Sequence, residues 1–269
     1  RFLIYPFGRT SFAGTDPHMN KIILVTGASS GFGKATAQLF AAHGWNCIIT
    51  ARSKEKLELL SQELTSQHNI QVLPLVFDVQ DKKAVDEQLS SLPEQWQNID
   101  VLVNNAGLAL GRDSFDQADM HDWDVMIDTN LKGLLYVTRA VLPYMKAGRK
   151  GHIINIGSTA GVEVYKDGNV YCATKHAVDA ISKAMRIDLL PDGIKVTVVH
   201  PGAAETQFSM VRFKGNEQKA AAVYEGYQPL KAEDVADIIY YAANLPEHVC
   251  INELVVTCKA QANSFYLHK

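Results

Sequence analysis

Apolar residues along this chain form two recurring patterns, short unbroken runs and longer stretches with a spacing of three or four. Unbroken runs rich in Val, Ile and Leu are typical of parallel strands buried on both faces, and the wider spacing is typical of amphipathic helices. Their alternation predicts an α/β protein with one doubly wound parallel sheet of about seven strands and helices on both faces. The predicted strands span residues 22–25, 47–50, 72–77, 100–103, 152–156, 195–199 and 251–257, and the predicted helices span residues 34–43, 56–68, 82–92, 123–146, 169–190 and 232–245.

Residues 203–230 interrupt this alternation, because Phe208, Arg212 and Phe213 stand among polar residues without a clear period. The stretch follows a predicted strand, and ligands of doubly wound sheets bind beyond the carboxyl ends of the strands. We therefore predict that residues 203–230 form a small substrate lid of short helices before the last helix.

Residues 1–18 show neither pattern, and Met19 stands just before the first predicted strand. The stretch lacks the sustained apolar segment and the small-residue cleavage site of a secretory signal. We predict that residues 1–18 are a leader foreign to the natural chain and that residues 19–269 form one domain.

Composition narrows the class of protein. Hydrophobic residues make up 47% and charged residues 20% of the chain, as in ordinary globular proteins. The net charge of −3 gives no reason to expect nucleic acid or an anionic membrane as a partner, and no apolar run approaches the roughly 20 residues that span a bilayer. The four cysteines are scattered without metal-ligand spacing. We expect a cytoplasmic protein with free thiols, no metal and a small-molecule partner.

A glycine-rich turn lies between the first predicted strand and the first predicted helix. Glycines let the backbone approach a pyrophosphate closely, and the helix N-terminus offers free N–H groups. The spacing is Gly-x-x-x-Gly-x-Gly rather than the usual Gly-x-Gly-x-x-Gly, and an ordinary loop is the alternative. We predict the dinucleotide site of a Rossmann fold at Gly27, Ser29, Ser30, Gly31, Phe32 and Gly33.

The residues at the ends of the second and third predicted strands indicate which dinucleotide the protein binds. Arg52 and Ser53 follow the second predicted strand, where an acidic residue would bind NAD and an arginine accommodates the 2′-phosphate of NADP. This favours NADP, with a solvated basic loop as the alternative. Asp78 and Val79 end the third predicted strand, where the acid either meets the adenine or caps the next helix.

Small and amide residues follow the fourth predicted strand, at Asn104, Asn105, Ala106 and Gly107. They allow the backbone to approach a ribose, and the amides can join the central strands. We assign Asn105, Ala106 and Gly107 to the cofactor site.

Tyr171 and Lys175 are four residues apart on a predicted helix, so their side chains share one face. A phenol has a pKa near 10, and an adjacent ammonium lowers this pKa, which makes the tyrosine a usable acid and base. Ser158 ends the preceding predicted strand, where its hydroxyl could hold a substrate oxygen. An ordinary pair on an exposed helix face is the alternative for Tyr171 and Lys175.

These motifs together resemble the short-chain dehydrogenase/reductase family. The resemblance rests on the glycine turn, on Asn104–Gly107, and on Asn130, Ser158, Tyr171, Lys175 and Pro201–Gly202. The stretches 105–111, 155–161 and 209–215 look like those of the bacterial and fungal NADP-dependent 3-hydroxy acid dehydrogenases, also described as serine or L-allo-threonine dehydrogenases and malonic semialdehyde reductases.

The resemblance implies a role for each matching residue. Tyr171 is expected to be the general acid and base, and Ser158 to orient the substrate oxygen. Lys175 is expected to lower the phenol pKa and bind the nicotinamide ribose, and Asn130 to support a water that leads protons to Lys175. The nicotinamide side of NADP is expected to meet Pro201, Gly202 and Thr206.

The substrate implied by the resemblance is a small 3-hydroxy acid, whose carboxylate needs a cation. Arg212 and Lys214 in the lid are the candidates, with Arg212 favoured for its planar fork. Solvated surface charges are the alternative, and Ala203, Ala204 and Gln207 depart from the bulkier or acidic residues expected there. A carbonyl or 3-ketoacyl reductase and an NADP-binding regulator are the other functions considered. The resemblance also implies a homotetramer, formed in part by the two longest predicted helices.

Overall fold

The computed structural model describes residues 21–269, so the predicted leader lies outside the described residues. The described chain contains one parallel sheet of seven strands in the order β3-β2-β1-β4-β5-β6-β7. This confirms the predicted doubly wound α/β fold. The strands are β1 Ile22–Thr26, β2 Asn46–Ala51, β3 Val72–Val76, β4 Ile99–Asn104, β5 Gly151–Ile156, β6 Ile194–Pro201 and β7 Glu253–Val256.

Helices cover both faces of the sheet because successive side chains of a strand point to opposite sides. In β1, Ile23 and Val25 join the apolar cluster under one layer of helices, whereas Ile22 and Leu24 join the cluster under the other. The helices are α1 Gly31–Ala42, α2 Lys54–Gln67, α3 Lys82–Leu89, α4 Met120–Ile127, α5 Leu134–Gly148, α6 Asn169–Asp188, α7 Phe208–Arg212, α8 Glu217–Ala222 and α9 Ala232–Ala243, with short 3₁₀ turns at Glu94–Trp96, Thr159–Gly161 and Leu190–Asp192.

The helix predicted over residues 123–146 is longer and less regular than expected. A π-helical stretch, Asp128–Gly133, joins α4 to α5. A π turn holds one residue more than an α turn, and such turns occur mostly at functional sites. Here the widened turn carries Asn130, which is buried and points inward. The apolar periodicity that predicts the helix cannot show this change of turn.

The predicted lid contains the short helices α7 and α8, as expected from its irregular pattern. Its ends are tied together, because Ala204 forms an isolated bridge with Leu230. The Tyr224 hydroxyl donates to the Ala204 carbonyl oxygen at 2.8 Å and lies 2.7 Å from Ser209 Oγ. The stretch is therefore held together by its own contacts, and its role as a substrate lid stays a prediction. Within residues 21–269, no helix has the length and apolar character needed to cross a membrane.

Candidate active site

A cleft of about 1230 Å³ opens at the carboxyl ends of the strands. It lies where the strand order reverses between β1 and β4, the place where doubly wound sheets bind ligands. Most of the predicted site residues line it; Gly33 and Asn130 do not. Those that line it are Gly27, Ser29, Ser30, Gly31, Phe32, Arg52, Ser53, Asp78, Val79, Asn105, Ala106, Gly107, Ser158, Tyr171, Lys175, Pro201, Gly202, Thr206 and Arg212.

The glycine turn fits a pyrophosphate. Gly27 and Gly31 have φ of +66° and +52°, a region that favours glycine. A Cβ on Gly33 would lie 2.4 Å from the Gly27 carbonyl oxygen, so only glycine lets α1 begin this close to the turn. Ser30 precedes α1 and makes no side-chain capping bond, which leaves its hydroxyl and the first N–H groups of the helix available to an anion.

Arg52 lines the same cleft as the glycine turn, and its role towards the 2′-phosphate of NADP stays a prediction. Its side chain is 65% exposed at the mouth of the cleft, and its guanidinium lies 3.7 Å from an oxygen of Asp78. Asp78 does not cap the next helix: Asp81 does, by accepting from the Ala84 amide at 3.1 Å. The capping alternative for Asp78 is therefore wrong. Asp81 is the N-cap because it directly precedes the helix, as an N-cap must.

Asn105 joins the two central strands, as its amide predicts. Its Nδ2 donates to the carbonyl oxygens of Thr26 and Gly27, at 2.8 Å and 3.2 Å. The Thr26 hydroxyl accepts from the amides of Asn105 and Ala106, each at 3.0 Å. The glycine turn after β1 is thus fixed against the end of β4.

Ser158, Tyr171 and Lys175 converge in the cleft from the end of β5 and one face of α6. Tyr171 is only 7% exposed, and the Ser158 side chain is close enough to influence its phenol. The Lys175 ammonium donates to the Ile156 carbonyl oxygen at 2.8 Å and lies 5.9 Å from the centre of the Tyr171 ring. The three side chains predicted to carry the chemistry therefore lie together.

Burial dominates the acid–base character of this group. It raises the pKa of Tyr171, while the Ser158 side chain and the Arg212 guanidinium act to lower this pKa. Burial also lowers the pKa of Lys175 to about 8. Arg212 thus acts on Tyr171 in the direction that the resemblance assigns to Lys175.

Asn130 bonds inside the protein. Its Oδ1 accepts from the Leu108 amide and its Nδ2 donates to the Leu108 carbonyl oxygen, both at 2.8 Å. Nδ2 also lies 3.1 Å from the hydroxyl of Thr174, the neighbour of Lys175. The widened turn thus fixes the segment after β4 against α6, and a role for Asn130 in proton transfer stays a prediction.

The two lid cations differ in their partners. Lys214 pairs with Asp122 at 2.8 Å. Arg212 donates from Nε to the Gly111 carbonyl oxygen at 3.2 Å, and its guanidinium lies 5.6 Å from the centre of the Tyr171 ring. Because a carboxylate already holds Lys214, Arg212 is the better candidate for a substrate anion.

Comparison with known proteins decides the family. A profile of the short chain dehydrogenase family matches residues 21–217. The chain belongs to the short-chain dehydrogenase family.

Three relatives of this dehydrogenase are informative. The NADP-dependent 3-hydroxy acid dehydrogenase of Salmonella typhi is 49% identical over 232 residues, which cover 86% of this chain and 92% of that protein. Sulfoacetaldehyde reductase 2 of Chromohalobacter salexigens is 45% identical over 249 residues, which cover 92% of this chain and 98% of that protein. The closed form of a serine dehydrogenase complexed with NADP⁺ has a TM-score of 0.86 and 46% identity, and covers 92% of this chain and 99% of that one.

Sequence reasoning missed two side chains at the substrate end of this dehydrogenase's cleft. The Tyr165 ring lines the cleft, and the guanidinium of Arg112 lies 5.7 Å from its centre. Burial raises the pKa of Tyr165, and the guanidinium groups of Arg212 and Arg112 act to lower it. Neither residue belongs to a motif; the nearest signal is that Tyr165 lies six positions before Tyr171, just ahead of α6.

His200, at the end of β6, was missed as well. Its ring is buried behind Ser158, with Nδ1 3.0 Å from the Ser158 carbonyl oxygen. Its Nε2 lies 3.6 Å from a carboxylate oxygen of Asp179 and 3.6 Å from one of Glu253. Burial lowers the pKa of His200, and the bond to Ser158 and the two carboxylates act to raise it. The position next to Pro201 and Gly202 was the only signal in the sequence.

Proposed function

We propose that this short-chain dehydrogenase is an NADP-dependent oxidoreductase for small 3-hydroxy acids such as L-serine, L-allo-threonine and 3-hydroxypropionate, and that it reduces the matching semialdehydes. One observation carries the proposal: Ser158 and Tyr171 share a cleft with Lys175 and with Arg212, whose guanidinium lies 5.6 Å from the centre of the Tyr171 ring. A proton-transfer group and a cation for the acid are therefore side by side. The name of the Salmonella typhi relative and that of the NADP⁺-bound serine dehydrogenase support the same function.

The residues present fit NADP. Arg52 and Ser53 would hold the 2′-phosphate, because a guanidinium can clamp a phosphate and a hydroxyl adds a donor. The turn at residues 27–33 would hold the pyrophosphate, and Asp78 and Val79 would border the adenine. Asn105, Ala106, Gly107, Lys175, Pro201, Gly202 and Thr206 would border the nicotinamide half. When bound, NADP supplies the hydride chemistry that side chains lack.

The protein's own side chains would hold the substrate and its proton. Tyr171 would exchange a proton with the substrate oxygen, which Ser158 would orient. Tyr171 is buried, so the pKa of its phenol needs nearby positive charge to approach neutral pH, and Lys175 and Arg212 are placed to supply it. Arg212 would pair with the carboxylate, and residues 203–230 would cover the substrate.

The proposal extends to assembly and location. We infer a homotetramer that uses α4–α5 and α6, and Ile187 on α6, with a side chain 75% exposed, offers an apolar contact for a neighbour. Light scattering of the purified protein tests this. The four cysteines are free, which supports a reducing, cytoplasmic location.

Nicotinamide absorbance with purified protein tests the function. L-serine, L-allo-threonine and 3-hydroxypropionate would each be offered with NADP and with NAD. We expect turnover with NADP and little with NAD. Reduction of neutral aldehydes or ketoacyl thioesters without turnover of the hydroxy acids would favour the carbonyl or 3-ketoacyl reductase alternative. Binding of NADP without any turnover would favour a regulator.

A further inference from the structure

Behind Ser158, side chains from three elements converge outside the cleft: Asp179 from α6, His200 from β6 and Glu253 from β7. Glu253 is in register with Val198, two residues before His200, so the side chains of Glu253 and His200 lie on the sheet face that α6 covers. One imidazole nitrogen and one carboxylate oxygen from each acid all lie within 4.8 Å of one another. The fold therefore brings together three groups that can bind a metal ion.

The atoms that face one another in this cluster are not satisfied by hydrogen bonds. The His200 side chain is fully buried, and its Nε2 lies 3.6 Å from Asp179 Oδ1 and 3.6 Å from Glu253 Oε1. These distances are too long for hydrogen bonds. Within residues 21–269, neither Nε2 nor Asp179 Oδ1 has a hydrogen-bond partner, although both atoms are buried. Buried polar atoms without partners cost free energy, so a ligand that engages both would stabilise the protein.

The other side of the imidazole indicates what kind of ligand fits. Nδ1 lies 3.0 Å from the Ser158 carbonyl oxygen, which can only accept, whereas its contact with the Ser158 amide nitrogen is longer, at 3.3 Å. The proton of the neutral ring therefore belongs on Nδ1. Burial lowers the pKa of His200, which favours this neutral ring. The lone pair of Nε2 then faces two carboxylate oxygens, an arrangement that calls for a positive charge between the three atoms.

We propose that Asp179, His200 and Glu253 bind a divalent transition-metal cation of the Zn²⁺ type, which joins α6, β6 and β7 behind Ser158. One imidazole nitrogen and two carboxylate oxygens are a ligand set that suits Zn²⁺. Zinc bonds of about 2.1 Å at a tetrahedral angle hold their ligand atoms about 3.4 Å apart, close to the 3.6 Å between Nε2 and each carboxylate oxygen.

The surroundings of the cluster also match a metal site. A histidine that binds a metal through one nitrogen usually donates from the other to a backbone carbonyl or a carboxylate, as Nδ1 of His200 does to Ser158. No cysteine takes part, so the scattered cysteines that argue against a metal in the sequence have no bearing on this site. The sequence gives no sign of the cluster because its residues come from three separate elements.

Lys183 is a cation that competes for the same carboxylates. Its ammonium lies 2.7 Å from Asp179 Oδ2 and 3.9 Å from Glu253 Oε2, the two oxygens that do not face His200. Each carboxylate thus offers one oxygen to the lysine and the other to the proposed ion. One ammonium cannot neutralise two carboxylates, so a divalent cation is still attracted. The Glu253 side chain is 38% exposed, which gives the ion a route from solvent.

The test is calorimetric titration of the chelator-treated full chain with ZnCl₂ alone. We expect one Zn²⁺ to bind per chain. Glu253→Gln keeps the shape of the side chain and should weaken binding at least about tenfold, because even the loss of an outer-shell partner has an effect of that size. Asp188→Asn is the matched control, because Asp188 is an exposed carboxylate on the same helix outside the cluster, and it should bind Zn²⁺ like the parent.

Lys183→Met tests the competition from the opposite direction. Removing the ammonium frees the carboxylates and should tighten Zn²⁺ binding about two- to fivefold, the range that corresponds to an exposed ion pair. Circular dichroism shows whether each variant is folded. Because Lys183→Met is expected to gain affinity, it keeps the test decisive if Glu253→Gln does not fold.

Titration with CoCl₂ gives a spectroscopic readout, since tetrahedral Co²⁺ absorbs visible light far more strongly than hydrated Co²⁺. The parent should develop this absorption, and His200→Asn, which lacks the imidazole nitrogen, should not. A folded parent that binds no Zn²⁺, or Zn²⁺ binding that is equal in the parent, Glu253→Gln and Lys183→Met, would overturn the site. Neither result affects the proposed function, because no NADP or substrate is present in these titrations.

Discussion

The imidazole of His200 supports Ser158 from behind, with Nδ1 3.0 Å from the Ser158 carbonyl oxygen and 3.3 Å from its amide nitrogen. A Cβ on Gly157, the residue before Ser158, would lie 2.5 Å from the same Nδ1, so the ring packs directly against the backbone. On its other side, the carboxylates of Asp179 and Glu253 face Nε2, and Lys183 pairs with Asp179 at 2.7 Å. The ring therefore connects the backbone of Ser158, whose hydroxyl would orient the substrate, to charged groups on α6 and β7.

Replacing His200 should slow the reaction without weakening NADP binding. His200→Leu fills the space but leaves the backbone of Ser158 without its partner, so Ser158 loses its fixed position beside Tyr171. We expect kcat to fall about tenfold, with KM for NADP nearly unchanged. His200→Asn, which can still donate and accept, should recover part of the loss. Equal losses of kcat in the two variants would indicate a packing role alone.

Tyr171→Phe should abolish the proton transfer while leaving the packing of the site and the binding of NADPH unchanged. The phenyl ring retains the contacts of Tyr171 with Phe208 and removes only the hydroxyl. General acid–base groups contribute about 10² to 10⁴ in rate, so we expect kcat to fall by at least about 10². Fluorescence titration should show unchanged NADPH affinity. A variant that keeps more than a tenth of the parent kcat would remove Tyr171 from its proposed role.

Arg52→Ala should reduce the preference for NADP. A guanidinium–phosphate contact is a strong, charge-assisted hydrogen bond, and its loss should raise KM for NADP by about ten- to a hundredfold while leaving KM for NAD little changed. Lys54→Ala is the control, since Lys54 is an exposed cation two residues away that pairs with Glu58. If the two substitutions raise KM for NADP equally, the effect is one of general surface charge.

The pH dependence of the reaction should carry the signature of Lys175. Burial lowers the pKa of Lys175 to about 8, so the ammonium is present below that pH and is lost as the pH rises through it. Because the positive charge favours proton transfer by Tyr171, kcat/KM for aldehyde reduction should fall above pH 8. The measurement is a pH profile in buffers of constant ionic strength. A profile that stays flat to pH 10 would contradict the assignment.

The parts of this protein that sequence predicts well are those whose determinants are local. The glycine turn depends on backbone freedom within one strand–helix junction, and Tyr171 and Lys175 face the same way because of helical spacing. Arg212 needed the resemblance, because its place beside Tyr171 depends on how the lid folds back over the sheet.

The missed residues are set by contacts between distant parts of the chain. Arg112 and Arg212 are about a hundred positions apart, and hydrogen bonds between Gly111 and Arg212 hold their two segments together. His200 and Ser158 meet because β5 and β6 are neighbours. Asn130 was not missed, but only the resemblance indicated it, since a π turn leaves no mark in helical periodicity.

The position of the cleft has a mechanical consequence. At the reversal of strand order, the segment containing β1 to β3 lies on one side and the segment containing β4 to β7 on the other. The side chains that would hold the adenosine come from the first segment, and those for the nicotinamide come mostly from the second. A dinucleotide bound there would act as a noncovalent cross-link between the two halves of the chain, so its binding energy would oppose their separation and slow the opening of the sheet at its centre.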